Sequence, residues 1–315
     1  MDGVVAIETA SKRLGVIGYS DGNGHPFSFS AIVNGYDDRA FSQVGWPVIH
    51  DYLGRRNASE FGLPGVSVTH AWMPDPKMAR ALAAACRIPH VVTSPGDMLG
   101  SVDAVLILRD DAESHWPMAH SFLESGVSVF VDKPLAIDQD HLEKFSPYLH
   151  NGQLMSCAAL RFAVELDPLR DPATLAALGP LHLVECSVLN DWPRYGIHML
   201  EAVQNLLAAN PVSLQRLAGP AEHMAIQLDT GVLLLLSALG EVPKVFEITL
   251  RGRHGTQRFH LHDNFSAFRR VLQAFVGQAR TGVPAIRPSD TLAVLNTIKA
   301  GLAAKPGGPA ITISR

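Results

Sequence analysis

Two side chains in this sequence carry chemistry suited to moving a proton, Lys133 and His198. Lys133 follows Val127-Ser-Val-Phe-Val-Asp132, in which Val127, Val129 and Val131 alternate with Ser128, Phe130 and Asp132. That alternation predicts a strand with one apolar face. Pro134 biases the backbone of Lys133 toward extended conformations and so limits the directions its amine can take. A lysine desolvated at a strand end has its pKa lowered and can act as an acid or base, although a lysine snorkelling to close a strand would show the same residues. His198 falls in the first turn of a predicted helix, since Pro193 cannot continue a helix through its own position and Ile197, Leu200 and Leu207 follow at helical spacing. A helix amino end disfavours imidazolium, so the neutral ring there could accept a proton near pH 7. A hydrogen-bonded core histidine is the competing explanation. Arg194 would hold the ring neutral more strongly and could grip a carboxylate or phosphate. Asp191 is the carboxylate available beside them.

The elements that must position these groups change character midway. Arg13–Ser20, Val66–Trp72, His90–Thr93, Val102–Leu108 and Val127–Val131 have strand character, and Asp75–Arg87 and His115–Glu124 have helical spacing. Strand and helix alternate, which predicts a parallel sheet with right-handed crossovers and helices on both faces. Ligands of such sheets bind outside the carboxyl ends of the strands, where Lys133 stands. Beyond about Ile137 the strand-like segments are Gln153–Arg161, Leu181–Leu189, Ala225–Leu228, Val232–Leu239, Val245–Arg251 and Gln257–His262. Hairpin signals lie at Asp229-Thr-Gly231 and Arg253-His-Gly255, with helices at about Tyr195–Ala208, Ser266–Thr281 and Asp290–Ala304. The expected architecture is α/β: a Rossmann-like doubly wound parallel sheet over 1–136, then an α+β domain with an open, mainly antiparallel sheet over 137–315. The terminal helix is free to pack back on the first domain.

Composition narrows the function. The 315 residues are 47% hydrophobic and 18% charged, with a formal net charge of −4, so there is no basic footprint for nucleic acid or a membrane surface. Met1–Arg13 lacks a secretory pattern, and the longest apolar run, Val232–Leu236, is too short to span a bilayer. Cys86, Cys157 and Cys186 are odd in number and widely spaced, which argues against a disulfide framework or zinc site and suits the cytoplasm. His260 and His262, near His254 and Asp263, have a spacing metals accept, yet a solvated hairpin explains it equally and no metal is expected. No Gly-x-Ser-x-Gly elbow supports a hydrolase.

In order and spacing, Gly15-Val-Ile-Gly18, Asp103-Ala-Val-Leu-Ile-Leu108 followed by His115, and Gly126-Val-Ser-Val-Phe-Val-Asp-Lys-Pro-Leu-Ala136 resemble the Gfo/Idh/MocA family of NAD(P)-dependent oxidoreductases. Arg161-Phe162, Gly196-Ile-His198 and Val283-Pro to Ser289-Asp resemble its later segments. The resemblance implies NAD or NADP as cofactor, held by Gly18, Tyr19, Ser20, Leu108, Arg109, His115, Asp132 and Lys133. It implies catalysis by Lys133 and His198, with Asp191 as the supporting carboxylate, and hydride transfer to or from a hydroxyl-bearing carbon of a sugar, polyol or derivative. Arg161, Arg194 and Tyr195 would contact that substrate. Departures are visible too. Ser20 and Asn23 stand at the second and third glycines of the family's phosphate loop, Asp21 adds negative charge, and Trp72 or Met73 replaces the ribose-binding acid. An insertion of about forty residues, Gly24 to Pro64, follows, rich in aromatics. Two other functions therefore stay open: a non-oxidising ligand-binding or regulatory relative, and an NAD-dependent lyase or glycosidase. Val232–Leu236 is apolar on both faces, which predicts a homodimer or homotetramer through the second sheet.

Overall fold

A computed structural model of the protein describes residues 11–314; most of the amino-terminal stretch expected to lack a leader lies outside the described residues. The strands are β1 (Lys12–Ile17), β2 (Val66–Trp72), β3 (His90–Val91), β4 (Ala104–Ile107), β5 (Ser128–Val131), β6 (Leu154–Ser156), β7 (Leu181–Val188), β8 (Pro211–Leu217), β9 (Glu222–Leu228), β10 (Leu233–Ala238), β11 (Phe246–Gly252), β12 (Thr256–His260) and β13 (Ile311–Thr312). They form a six-stranded sheet of order β3-β2-β1-β4-β5-β6 and a seven-stranded sheet of order β12-β11-β7-β10-β9-β8-β13. The chain divides into two compact units, residues 1–109 with 118–130, and residues 110–117 with 131–315.

In the first unit β1 pairs in parallel with β2 and β4, and β2 with β3. Such pairs need crossovers, and buried strands need cover on both faces, which is why β4 reads Ala-Val-Leu-Ile with every residue buried. Helix His25–Asn34 is the first crossover. Its Phe27, Phe29 and Ile32 are buried, and the Asn34 amide ties its end to β2 by donating to Val68 O at 2.8 Å and accepting from Val68 N at 2.9 Å. The expected insertion therefore starts only after Asn34. The added part is helices Asp38–Phe41 and Pro47–Gly54 with a 3₁₀ turn at Ala58–Glu60. Its aromatics pack on the crossover helix, Phe27 lying 6.1 Å from Phe41 and 6.3 Å from Trp46 between ring centroids.

In the second unit, β7 and β10 are parallel while β10–β9, β11–β7, β11–β12, β8–β9 and β13–β8 are antiparallel. Alternate residues point to one face, so Val184, Cys186, Val188, Leu234, Leu236, Ile248 and Leu250 are all buried. Each large aliphatic side chain buried this way contributes about 1.5–3 kcal/mol. Helices Gln139–His150, Ile197–Leu207, Asn264–Thr281 and Pro288–Ala303 are the long helices of this half. Two sequence expectations are corrected. Gln153–Arg161 is a strand only over β6, because Ala159–Phe162 turns as a 3₁₀ helix, and helix Gln139–His150 was not anticipated. Strand β8 is also additional to the expected set.

Candidate active site

The second unit holds both Lys133 and His198. Lys133 lies just beyond β5 and is buried, and its Nζ donates to the main-chain carbonyl of Arg194 at 3.1 Å. The same amine stands 5.8 Å from the centre of the Tyr195 ring, a distance at which the ring face attracts a cation. His198 lies 5.8 Å from Tyr195 and 5.7 Å from Phe246, ring to ring. Tyr195 thus has the amine and the imidazole as neighbours, and Phe246 stacks on it at 6.2 Å. Burial holds the Lys133 pKa below that of an ordinary lysine; Asp132, Asp110 and Asp191 oppose the shift and Arg194 adds to it. A group that loses its proton more easily than a surface lysine is suited to exchange one with a hydroxyl.

The carbonyl that receives the amine belongs to a π-helical turn, Trp192–Gly196, running directly into helix Ile197–Leu207. Asp191 caps this turn, its carboxylate accepting from Arg194 N–H at 2.9 Å. It is a capping residue that also adds negative charge near Lys133. The Arg194 guanidinium donates to Asp110 at 2.7 Å. Trp192 is fully buried and donates from its indole to Ile298 O at 3.1 Å. It packs beside Gly196, where a Cβ would stand 2.7 Å from the indole ring, and beside Gly301, where a Cβ would collide with Nε1. His198 is the second residue of helix Ile197–Leu207, as expected, and the π-helical turn adds helical backbone on its amino side.

Arg161, expected beside the substrate, stands in a buried network. It is buried and its guanidinium donates to Glu201 at 3.3 Å, Gln204 at 2.9 Å and Asp290 at 3.5 Å. A guanidinium removed from water must find acceptors, and three side chains on two helices supply them. The network fixes the helix that carries His198. Burial pushes the Glu201 carboxyl up to about 7, outweighing the pull of Arg161. Leu108 and His115 are expected cofactor contacts. Both have no exposed surface, and His115 Nδ1 bonds Leu135 O at 2.9 Å. The Asp132 carboxylate accepts from Lys133 N–H at 2.9 Å and so acts beside the lysine. Asp110 and Glu201 escaped sequence reasoning; the acidic pair Asp110-Asp111 just past a buried strand was the available signal for the first.

In the first unit, the loop after β1 spans Gly18 to Gly24. A Cβ on Gly18 would stand 2.5 Å from Pro26, so this glycine permits the crossover helix to approach. Asn23 N–H closes a turn on Ser20 O at 3.1 Å. Gly22 at its tip has φ +75° and open space where a side chain would stand, and Asp21 and Gly22 are exposed. The Tyr19 hydroxyl donates to Asp21 at 3.2 Å. The first turn of helix His25–Asn34 uses its own donors: His25 N–H goes to Asn23 Oδ1, Pro26 has none, and Phe27 N–H goes to Gly24 O. At the end of β2 stands Trp72, its indole donating to Thr93 O at 3.1 Å. Arg109, expected beside the cofactor, is half-buried past β4.

The family model described as oxidoreductase family, NAD-binding Rossmann fold, Gfo/Idh/MocA, matches residues 48–151. That match spans about a third of the chain. The chain's fold is shared over nearly the whole length. A myo-inositol 2-dehydrogenase from Lactobacillus plantarum superposes with a TM-score of 0.76 at 15% identity, covering 96% of this chain and 100% of the other. A scyllo-inositol dehydrogenase from Lactobacillus casei, with bound NAD(H) and scyllo-inositol, gives 0.72 at 13%, covering 96% and 99%. GenD2 from gentamicin A biosynthesis, in complex with NAD, gives 0.73 at 15%, covering 98% and 97%. No curated protein matches by sequence. A dinucleotide cofactor would be held at the loop after β1. The tip at Gly22 is open, whereas the helix end, its donors already used, adds little. Among the described residues no helix is long and apolar enough to cross a membrane, and no group of three or more metal-ligating side chains occurs.

Proposed function

We propose that the protein is an NAD(P)-dependent oxidoreductase acting on a hydroxyl-bearing carbon of a polyol or sugar. The observation that carries this reading is the Lys133 amine, buried beyond a strand end and sharing the Tyr195 ring with His198. The cofactor, when bound, supplies the hydride acceptor or donor. Lys133 and His198 handle the proton of the reacting hydroxyl, and Tyr195 sets their separation. Arg194 is already paired with Asp110, which favours a neutral polyol over an anionic sugar. The similar folds of proteins titled as inositol dehydrogenases support a cyclic polyol as the first substrate to try.

The test is a paired NADH and NADPH fluorescence titration of wild type and Lys133→Ala, with turnover of NAD⁺ or NADP⁺ on myo-inositol, scyllo-inositol and open-chain polyols. Cofactor binding in both proteins, with turnover lost only in the variant, is expected. Folded wild type that binds neither nucleotide would remove the proposal. The used-up donors at the crossover helix favour one other reading, a relative that binds a ligand without oxidising it. Cofactor-free polyol binding by calorimetry would support that reading. The outward face of the second sheet, with Leu183, Leu233 and Leu235 half-buried, supports a homodimer or homotetramer, which light scattering measures. The three buried thiols suit a cytoplasmic location.

A further inference from the structure

Arg194 is held at three points. Its amide goes to Asp191, its carbonyl receives the Lys133 amine, and its guanidinium reaches Asp110 at 2.7 Å. Asp110 lies in the short 110–117 segment that belongs to the second unit, 84 residues from its partner. Its side chain is only 9% exposed, whereas that of Arg194 is 46% exposed. A carboxylate so withdrawn from water is retained where a cation compensates it, and here the cation is the residue whose carbonyl orients Lys133. We propose that Asp110 is a positioning residue for Lys133, acting through Arg194: the ion pair holds the π-helical turn so that the Arg194 carbonyl fixes the direction of the amine.

The electrostatics agree with the geometry. The charged groups that act on Lys133 are Asp132 beside it, Asp110 from the 110–117 segment, and Asp191 and Arg194 from the π-helical turn; Tyr195 adds its ring face. Removing Asp110 deletes a negative charge and leaves Arg194 unneutralised, so the amine releases its proton more easily. Removing the Arg194 side chain deletes a positive charge and keeps the carbonyl, so the amine holds its proton more tightly. The two variants act in opposite directions. A role confined to fold stability predicts no such opposition.

The proposal rests on the reading of Lys133 as a proton-transfer group, but its test does not require turnover. Full-length wild type, Asp110→Asn, Arg194→Ala and the double variant are labelled with an amine-selective acylating reagent across pH 7–10. Labelling of Lys133 is followed by peptide mass spectrometry, with Lys305 as the internal reference. Asp110→Asn is expected to raise Lys133 labelling at pH 8 about threefold relative to Lys305, a shift of about half a pH unit. Arg194→Ala is expected to lower it by a similar factor, the double variant is expected to fall near wild type, and Asp110→Glu is expected to restore it partly. Shifts of the same sign in both single variants, or none, would overturn the proposal even if the protein is active. Opposite shifts in a protein that turns over no polyol would sustain it while removing the proposed function. Should Asp110→Asn fail to fold, Arg194→Ala alone decides by its sign.

Discussion

Trp192 and Gly301 fit as a knob and its recess: the indole at the start of the π-helical turn lies against a helix position where any side chain would strike Nε1. Gly301→Ala must push the indole away from Ile298 O or displace the turn bearing Arg194 and Tyr195. The expected loss is about 1–3 kcal/mol in urea unfolding, as for other overpacked cores. A larger proportional loss of turnover should accompany it, since the turn carries the carbonyl that orients Lys133. A variant as stable and active as wild type would mean that the recess is not needed.

Glu201 makes stability depend on pH. Its folded value of about 7 lies above the ordinary carboxyl value, so the native state binds more protons than the unfolded chain in between. The stability it contributes is complete below about pH 4.5 and is lost as pH rises through about 7. Urea midpoints from pH 5 to 8 should therefore fall more steeply for wild type than for Glu201→Gln, which stays neutral throughout. Parallel slopes would refute this.

Lys133 has the opposite linkage. With a folded pKa below its unfolded one, the native state binds fewer protons between the two, so the lysine costs stability at low pH and the cost fades as pH rises toward the unfolded value. Lys133→Met should raise the melting temperature at pH 7, with a gain that shrinks toward pH 10, while turnover falls roughly 10²–10⁴-fold. Calorimetry at both pH values, with an activity assay, checks the pair of effects. A destabilised variant would contradict it.

The thiols should be silent. Cys86, Cys157 and Cys186 are buried, and burial raises each thiol above its ordinary pKa, so little thiolate forms. Ellman's reagent should find no reactive cysteine in native protein at pH 8 and three in urea. Rapid native labelling of any one would show that its surroundings open.

The sequence made the parallel half legible because strong periods coincide with real elements. Val66–Trp72 and His115–Glu124 keep their expected bounds, since each is an apolar pattern ended by turn residues or a charge. Helix Gln139–His150 was hidden by Pro147 and by a buried stripe of only Leu142, Phe145 and Leu149. Gln153–Arg161 looked like one strand from hydropathy alone, but the acceptors that Arg161 requires lie on two helices, and the chain turns to reach them. Lys133 and His198 stand out as candidates because each is marked by its own neighbours. Asp110 stands out less, because its pairing with Arg194 joins residues distant in sequence.

The guanidinium of Arg161 has a dynamic consequence. It bonds side chains on helices Ile197–Leu207 and Pro288–Ala303, Asn205 holds its own carbonyl at 2.7 Å, and Gln204 reaches the Asp290 carbonyl at 3.0 Å. No one of these stretches can swing out alone without stranding a charge away from water. Their amides should exchange with deuterium through a single concerted opening, making the scaffold around His198 a cooperative unit.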